Sequence, residues 1–282
     1  MTVNIDLGLI QGKFGDILYK NAYSRAFFGL WGIVIREITQ SFAQYFTWKF
    51  PVRSFLRTFC IILSAVLRLF LGRSLKYSFG FAGEDRIIEG MLKPVISKGG
   101  YYVDVGCNHP TFLSNTYGLY RKGWRGLCID ANSELIEKYQ LFRPKDRAVC
   151  KLISDSPGER TFYEVQNHVL STTEEEFLDE YRKEGLIIKN RLMQTHTLTE
   201  VLENEKAPLS FDLLTIDVEE HDFRVLKSLD LNRYRPRLIV IEDETFDPKE
   251  PQNNEVYQWL MAYGYSLEGF VLKNIYFKNV FP

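Results

Sequence analysis

Short apolar runs alternate with longer amphipathic segments over residues 101–278 of the chain. Apolar runs of this length are typical of strands that are buried on both faces of a sheet, and the segments between them are typical of helices. The alternation predicts an α/β fold with a doubly wound, mostly parallel sheet. The predicted strands are Tyr101–Val105, Leu127–Asp130, Ala148–Ile153, Leu213–Asp217 and Leu238–Glu242, with an extra strand at Thr161–Val165 and two antiparallel edge strands within Tyr265–Lys278. The predicted helices are Phe112–Tyr120, Ser133–Phe142, Thr173–Lys183, His221–Leu229 and Tyr257–Tyr263.

The first two predicted strands both end in an acid, at Asp104 and Asp130. Ligands of doubly wound sheets bind at the carboxyl ends of the strands, where an acid after the second strand can accept both ribose hydroxyls. Gly106 is expected to let the backbone approach a ligand closely. Because no G-x-G-x-x-G pattern follows, a dinucleotide is disfavoured. The pattern favours a ligand with a ribose and no diphosphate, of which S-adenosylmethionine is the leading candidate.

Several spaced motifs resemble the FkbM-type S-adenosylmethionine-dependent methyltransferases. The resemblance covers roughly Tyr77 to Lys278. It rests on V-D-V-G-C-N-H-P at 103–110, S-N-T at 114–116, I-D-A-N at 129–132, L-T-I-D-V-E at 214–219, Ile241-Glu242 and Asn274-x-Tyr276. Two departures are Cys107-Asn108, where the family often has Ala-His, and Glu220, where a glycine usually follows Asp-Val-Glu.

The resemblance implies a Rossmann-like, class I methyltransferase fold and S-adenosylmethionine as cofactor. The cofactor-binding candidates are Tyr77, Ser78, Asp104, Gly106, Asn108, Asp130, Asn132, Ser154, Asp155 and Asp217. Tyr77 and Ser78 would contact the cofactor from a loop that also offers Glu84 as an acceptor, although Glu84 and Asp85 equally suit the first turn of a helix. Ser154 and Asp155 would border the adenine, or would form an ordinary turn before Pro157.

The densest polar constellation is D-V-E-E-H-D at 217–222, directly after a predicted strand. Its candidate catalytic residues are Asp217, Glu219 and His221. Methyl transfer to a hydroxyl requires a base, which would be His221 or one of the carboxylates. Alternatively, Asp217, Glu219 and Glu242 would hold a divalent cation that lowers the pKa of the hydroxyl. Acids also stabilise a helix N-terminus, so Glu220 and Asp222 need no catalytic role.

Charge divides the chain into two parts. Residues 1–80 contain ten Lys and Arg against three Asp and Glu, a balance of +7, whereas the remaining 202 residues carry 25 against 33, a balance of −8. We predict a basic, aromatic helical N-terminal extension, residues 1–76, and a methyltransferase domain, residues 77–282. Residues 27–73 are expected to contact a membrane surface peripherally or to pack on protein, including a second subunit. The acidic domain excludes a nucleic-acid partner.

No cleavable signal peptide is visible, and no paired C-x-x-C pattern occurs, so the expected location is the cytoplasm, with contact to the inner membrane surface as an option. The segment 166–190 between two strands is expected to be a lid over the acceptor or an ordinary surface helix. The sequence as a whole predicts an O-methyltransferase acting on a hydroxyl. The resemblance implies a sugar of a polysaccharide, glycolipid or secondary metabolite as the acceptor. The alternative is a catalytically idle domain that binds the cofactor or a glycan within a biosynthetic assembly.

Overall fold

A computed structural model describes Leu63, Val66, residues 78–165 and residues 171–280, except for the side chains of Phe177 and Glu180. The chain divides into two units, Met1–Lys76 and Tyr77–Pro282. Apart from Leu63 and Val66, the predictions for residues 27–73 and for Tyr77 lie outside the described residues. None of the helices formed by the described residues is long and apolar enough to cross a bilayer.

The described part of the second unit contains ten strands and seven α-helices, in an order that alternates between the two types over much of its length. The strands are β1 Tyr101–Val105, β2 Arg125–Asp130, β3 Arg147–Cys150, β4 Leu152–Ile153, β5 Gly158–Val165, β6 Ile188–His196, β7 Ser210–Ile216, β8 Arg235–Glu242, β9 Tyr265–Val271 and β10 Asn274–Asn279. The helices are α1 Glu84–Met91, α2 Tyr117–Arg121, α3 Ser133–Phe142, α4 Leu178–Lys183, α5 Leu198–Asn204, α6 Asp222–Lys227 and α7 Glu255–Ala262.

Seven strands form the main sheet in the order β3-β2-β1-β7-β8-β10-β9. Strands β3, β2, β1, β7 and β8 pair in parallel, and β10 is antiparallel to both of its neighbours. The chain moves outward from β1 to β3 and later returns to the other side of β1 at β7. The carboxyl ends of β1 and β7 therefore form a topological switch point, the place where ligands bind in doubly wound sheets. The predicted mostly parallel, doubly wound fold is confirmed.

Both faces of the main sheet are apolar, because successive side chains of each strand point to opposite faces. Val103 and Val105 of β1 belong to the larger core cluster, which includes residues of α5, α6 and α7. Tyr102 of the same strand belongs to the other cluster, together with Ile88 and Leu92 from the α1 region. Burial on both faces explains why the parallel strands read as nearly continuous apolar runs.

A second sheet of three strands has the order β4-β6-β5. Strand β5 pairs with β6 antiparallel over its whole length, and β4 pairs with β6 in parallel through Leu152–Thr195 and Ile153–His196. The predicted strand Ala148–Ile153 is thus divided between two sheets. The division falls at Lys151, whose backbone N–H donates to the Asp130 carbonyl at 2.9 Å.

Two predicted helices differ from the observed ones for local reasons. The helix predicted at Phe112–Tyr120 is confined to α2, because Leu113 has a φ of +50° and the Ser114 N–H donates to the Phe79 carbonyl at 2.9 Å. The helix predicted from Thr173 begins as a 3-10 turn at Glu175–Phe177 before α4. Strand β10 also differs from the prediction, since it lies inside the sheet instead of at its edge.

Candidate active site

The ends of β1 and β7 are in direct backbone contact at the switch point. The Asp217 N–H donates to the Val105 carbonyl at 3.0 Å. Gly106 has a φ of +77°, and a Cβ at that position would lie 1.7 Å from the Asp217 carbonyl oxygen. Glycine is therefore required first by the packing of one strand end on the other. The sequence alone predicts only the close approach of a ligand at Gly106.

A cavity of about 690 Å³ opens at this edge of the sheet. Residues from the ends of β1, β2, β7 and β8 meet in its lining, as expected for the carboxyl ends of neighbouring parallel strands. The predicted site residues among them are Asp104, Gly106, Asn108, Asp130, Asn132, Asp217, Glu219, His221 and Glu242. The structure thus brings together residues that are up to 138 positions apart in the sequence.

Asp130 organises the loops on one side of the cavity. Its Oδ2 accepts from the Asn108 N–H and its Oδ1 from the Asn132 N–H, both at 2.8 Å. Asn132 in turn caps α3 by accepting from the N–H groups of Glu134 and Leu135. Burial raises the pKa of Asp130, although these N–H donors oppose the shift. Each carboxylate oxygen keeps a further lone pair with which it can accept from a ligand hydroxyl.

Asn108 and Asp104 complete this side of the cavity. Asn108 has a φ of +50°, and among the described residues its buried Oδ1 has no hydrogen-bond partner. Asp104 is 4% exposed, and its Oδ2 accepts from the Thr116 hydroxyl at 2.5 Å. Burial raises the pKa of Asp104 to about 6, while the nearby Arg143 guanidinium opposes the shift.

The second sheet supplies a wall of the cavity that the sequence argument missed. Phe162 of β5 and Leu152 of β4 line the cavity beside Ala131, and these three residues form one apolar cluster. The Arg191 guanidinium lies 5.7 Å from the Phe162 ring centroid, and its charge opposes the rise that burial causes in the pKa of Asp130. Phe162 lies in the extra strand predicted from the sequence. The strand that pairs with this one, β6, was not predicted, so the sequence could not place Phe162 at the cavity.

The loop Asp217–Asp222, here called the acid loop, has an unusual backbone. Glu219 and Glu220 have φ values of +54° and +70°. The left-handed region costs non-glycine residues about 1–2 kcal/mol each. Within the loop, the Val218 N–H donates to the Asp222 carboxylate at 3.0 Å. The left-handed conformation of Glu220 accounts for the glycine that similar sequences usually carry at this position.

Three carboxylates from the acid loop and β8 converge at one end of the cavity. One oxygen each of Asp217, Glu219 and Glu242 lie within 4.8 Å of one another. Burial, together with the negative charge of Glu242, raises the pKa of Glu219 to about 7 and that of Asp217 well above its ordinary value. Lys273 lies close to this group, with its Nζ 3.4 Å from Glu242 Oε1.

A second cavity of about 520 Å³ adjoins the first, because Glu219 and Glu242 line both. We call it the acidic groove. Nine of its lining residues are carboxylates: Glu219, Glu220, Asp222, Glu242, Asp243, Glu244, Asp247, Glu250 and Glu255. Burial raises the pKa of Asp222 to about 8. Two of the converging carboxylates, Glu219 and Glu242, are therefore accessible from both spaces.

Comparison with known proteins identifies the family. The model of the methyltransferase FkbM domain matches residues 104–267, which is more than half of the chain. The chain belongs to the FkbM methyltransferase domain family. It is accordingly a methyltransferase that uses S-adenosylmethionine. The matched region begins at Asp104, near the end of β1, and contains β2, β7, β8 and the acid loop.

Solved structures with a similar fold include two methyltransferases. A TehB-like SAM-dependent methyltransferase from Corynebacterium glutamicum is 14% identical, with a TM-score of 0.38, covering 80% of this chain and 97% of that one. A protein from Pyrococcus horikoshii assigned as an RNA methyltransferase is 12% identical, with a TM-score of 0.34, covering 69% and 85% of the two chains. No curated protein matches this chain in sequence.

The residues around the first cavity of this FkbM-domain protein fit S-adenosylmethionine. Asp130 presents acceptors for ribose hydroxyls at the end of β2. The apolar wall of Phe162, Leu152 and Ala131 suits a planar base. Asn108 offers a buried carbonyl oxygen that lacks a partner among the described residues. A cofactor bound here would provide a methyl group made electrophilic by the sulfonium.

Two of the predicted adenine contacts do not line this cavity. Ser154 is fully buried and lies against His221, with 3.0 Å between its hydroxyl and His221 Nε2. Asp155 is exposed, and its carboxylate accepts from the Ser154 hydroxyl at 3.1 Å. On the cavity side, Phe162 and Leu152 form the apolar surface instead.

His221 is the best anchored of the predicted catalytic residues. It is 3% exposed, its Nδ1 lies 2.9 Å from Glu174 Oε1, and its Nε2 contacts Ser154. Burial lowers the pKa of His221, although Glu174 opposes the shift. Burial thus favours the neutral ring, in which Nδ1–H donates to Glu174 and Nε2 lies 3.0 Å from the Ser154 hydroxyl. Both nitrogens are engaged within the protein.

The loop before α1 contributes Glu84 instead of Ser78. Glu84 begins α1, as one of its two interpretations predicted, and its carboxylate accepts from the Ala82 N–H. Glu84 also lines the cavity, and its role as an acceptor for the cofactor stays a prediction. Ser78 donates to Asp85 at 2.5 Å and does not line the cavity. His109 is likewise absent from the lining, and its Nδ1 accepts from the Thr111 N–H at 3.3 Å.

Proposed function

We propose that this enzyme methylates a hydroxyl group, on a sugar of a polysaccharide, glycolipid or secondary metabolite, with S-adenosylmethionine bound in the first cavity and the acceptor in the acidic groove. The observation that carries the proposal is the carboxylate cluster shared by both spaces. Glu219 and Glu242 line the cavity and the groove alike. A hydroxyl in the groove can therefore meet a base and the methyl group at the same point.

The acidic groove suits a neutral polyol. Carboxylates accept hydrogen bonds from hydroxyl groups and have no donors of their own when ionised. A sugar brings several hydroxyl donors, whereas a phosphodiester brings only acceptors and negative charge. The nine carboxylates therefore support a carbohydrate acceptor and weigh against nucleic acid.

Glu219 is the proposed general base. A base works best when its pKa lies near the working pH, and the pKa of Glu219 is raised to about 7. As the acceptor oxygen forms its bond to the methyl carbon and the carbon–sulfur bond breaks, the Glu219 carboxylate takes the hydroxyl proton. Burial and the negative charge of Glu242 keep the pKa of Glu219 raised, and Asp130 orients the ribose.

The same three carboxylates support a second arrangement, a divalent cation site. Their oxygens lie within 4.8 Å of one another, and oxygen ligands of this type are those that Mg²⁺ and Ca²⁺ prefer. A cation held by Asp217, Glu219 and Glu242 would lower the pKa of an acceptor hydroxyl. Dialysis against a chelator separates the two arrangements, because only the cation arrangement requires Mg²⁺ or Mn²⁺ to restore methyl transfer.

The first experiment measures cofactor binding by calorimetry for the wild-type protein and the variants Asp130→Ala and Glu176→Gln. Glu176→Gln is the control, because Glu176 is an exposed acid on the 3-10 turn before α4. Binding that is lost with Asp130→Ala and kept with Glu176→Gln supports the cofactor site. Absence of binding by the folded wild-type protein would refute it.

The second experiment follows transfer of a radiolabelled methyl group to a panel of neutral oligosaccharides and glycolipids. Glu219→Gln should lower the rate by about 10²–10⁴, the usual contribution of a general base. The wild-type rate should also fall as the pH drops below about 7, where Glu219 becomes protonated. A Glu219→Gln variant with wild-type turnover would refute the assignment of the base.

The segment 27–73 carries the remaining part of the proposal, contact with an anionic membrane surface or with a second subunit. Its aromatic and basic composition supports both. Flotation with phosphatidylserine vesicles and the mass of the full chain by light scattering separate these partners. If the protein is not retained on the vesicles and also has the mass of a monomer, this part of the proposal is refuted.

A further inference from the structure

The acid loop is tied to a neighbouring segment, Ser171–Glu175, which we call the strap. The strap follows β5 in the chain and belongs to the insertion between β5 and β6. The Thr172 hydroxyl donates to the Glu219 carbonyl at 3.2 Å. The Glu174 carboxylate accepts from His221 at 2.9 Å. Two strap side chains thus contact two residues of the acid loop.

The strap is itself fixed to the second sheet. Thr172 and Tyr163 of β5 exchange backbone hydrogen bonds, at 2.9 and 3.1 Å. Thr172 is 2% exposed, and its Oγ1 also accepts from the Glu174 N–H at 3.1 Å. Ser154, which follows β4, holds the other nitrogen of His221. The acid loop is therefore tied to the three-stranded sheet at two places, through the strap beside β5 and through Ser154 after β4.

The acid loop needs such anchors because its backbone is strained. Consecutive left-handed residues, Glu219 and Glu220, persist only where the surroundings determine their conformation. With a cost of about 1–2 kcal/mol for each, a free loop would leave this conformation. The Val218–Asp222 hydrogen bond is internal to the loop and cannot fix its orientation toward the cavity.

We infer that Thr172 and Glu174 are positioning residues, which act through the Glu219 carbonyl and the His221 ring to hold Glu219 in the cavity. The inference rests on the proposed role of Glu219 and adds a role for His221, which aligns the base instead of accepting the proton. It also gives the insertion a function. The strap between β5 and β6 holds the acid loop in place, and residues of the strap also line the cofactor cavity.

Hydrogen–deuterium exchange of the full-length protein tests this inference without an acceptor. We expect Thr172→Val and Glu174→Ala to raise the exchange rate of amides in residues 218–223 at least tenfold, with the amides of β2 and β8 unchanged. Thr172→Ser keeps the hydroxyl and Glu174→Gln keeps an acceptor, so both should restore protection. Glu176→Ala, in the neighbouring exposed turn, is the matched control and should behave as the wild type.

Unchanged exchange of the acid loop in Thr172→Val and Glu174→Ala would overturn the inference. A uniform rise over the whole domain would also overturn it, because that pattern indicates global destabilisation. Failure of the conservative variants to restore protection would count equally against it. Cofactor binding is measured separately by calorimetry. A result that refutes the proposed function is therefore distinguishable from one that refutes the positioning role of the strap.

Discussion

Arg143, just after α3, is a fully buried cation whose removal gives the sharpest stability prediction. Its Nε donates to Asp146 at 2.7 Å, and both side chains are 0% exposed. Its Nη2 donates to the Tyr102 hydroxyl at 2.7 Å and lies 3.0 Å from the Thr116 hydroxyl. The guanidinium also lies 5.0 Å from the Tyr139 ring centroid, within cation–π range.

Arg143→Met fills most of the volume but leaves Asp146 buried without a countercharge. Removal of one partner of a buried ion pair costs about 3–5 kcal/mol. Asp146 keeps its bonds from the Tyr102 hydroxyl and the Gly126 N–H, at 2.7 and 3.0 Å, so the lower half of that range is expected. A loss of about 3–4 kcal/mol is a large share of the 5–15 kcal/mol that stabilises a typical protein.

Urea unfolding at pH 7, followed by tryptophan fluorescence, measures the change as a shift of the midpoint at constant slope. The double variant Arg143→Met with Asp146→Asn removes both charges and should recover at least half of the loss. A single variant that costs less than about 1 kcal/mol would refute the reasoning, as would a double variant no more stable than the single one.

The same substitution should weaken cofactor binding. Arg143 Nη1 lies 3.4 Å from the Pro110 carbonyl and 3.3 Å from the Ser114 hydroxyl, in the loop that follows β1. That loop carries Asn108 at the cavity wall. Arg235→Met is the matched control, since Arg235 also bonds several groups but lies at the opposite end of β8 from the cavity. Equal losses of affinity in both variants would show that the effect is not local.

Three further predictions concern single residues. Phe162→Ala should raise the Kd for S-adenosylmethionine, measured by calorimetry, about tenfold, because burial of an aromatic ring against the base contributes more than about 1.4 kcal/mol to binding. An unchanged Kd would show that Phe162 does not contact the cofactor. Glu220→Gly should raise the free energy of unfolding by up to about 1 kcal/mol through relief of the left-handed strain, and a destabilised variant would contradict that account. Burial raises the pKa of Asp104 from 3.8 to about 6, so its contribution to stability is present below pH ~4 and is lost as the pH rises through 6. The free energy of unfolding should fall over this range by up to about 1.4 kcal/mol per pH unit. Asp104→Asn should flatten this dependence of the unfolding free energy on pH, and an unaltered slope would contradict the prediction.

Sequence patterns predict the main sheet well, because burial on both faces leaves a continuous apolar signal. Strand β1 and helix α3 have the predicted bounds, and the acids that follow β7 meet the acid that ends β8, as expected for strand ends. Strand β6 gave no such signal, since one face of it is exposed and its sequence, I-K-N-R-L-M-Q-T-H, mixes polar and apolar residues.

The contacts that matter most for the site are the hardest to predict. Arg143 stands alone at the end of a helix, and nothing in its neighbourhood indicates that Tyr102, Thr116 and Asp146 converge on it. Glu174 looked like one of several acids in a surface helix. Its pairing with His221 joins residues 47 positions apart and depends on how the second sheet packs, which local periodicity does not encode.

Under the proposed function, the charge of the acidic groove also determines which form of a sugar the enzyme can methylate. Activated sugars carry their leaving group as a nucleotide diphosphate, and the nine carboxylates around the proposed acceptor space would repel it. A sugar that has already been transferred and has lost its diphosphate meets no such barrier. The charge of the groove would therefore order the two reactions, with glycosyl transfer first and methylation afterwards, so that the methyl group marks a finished linkage.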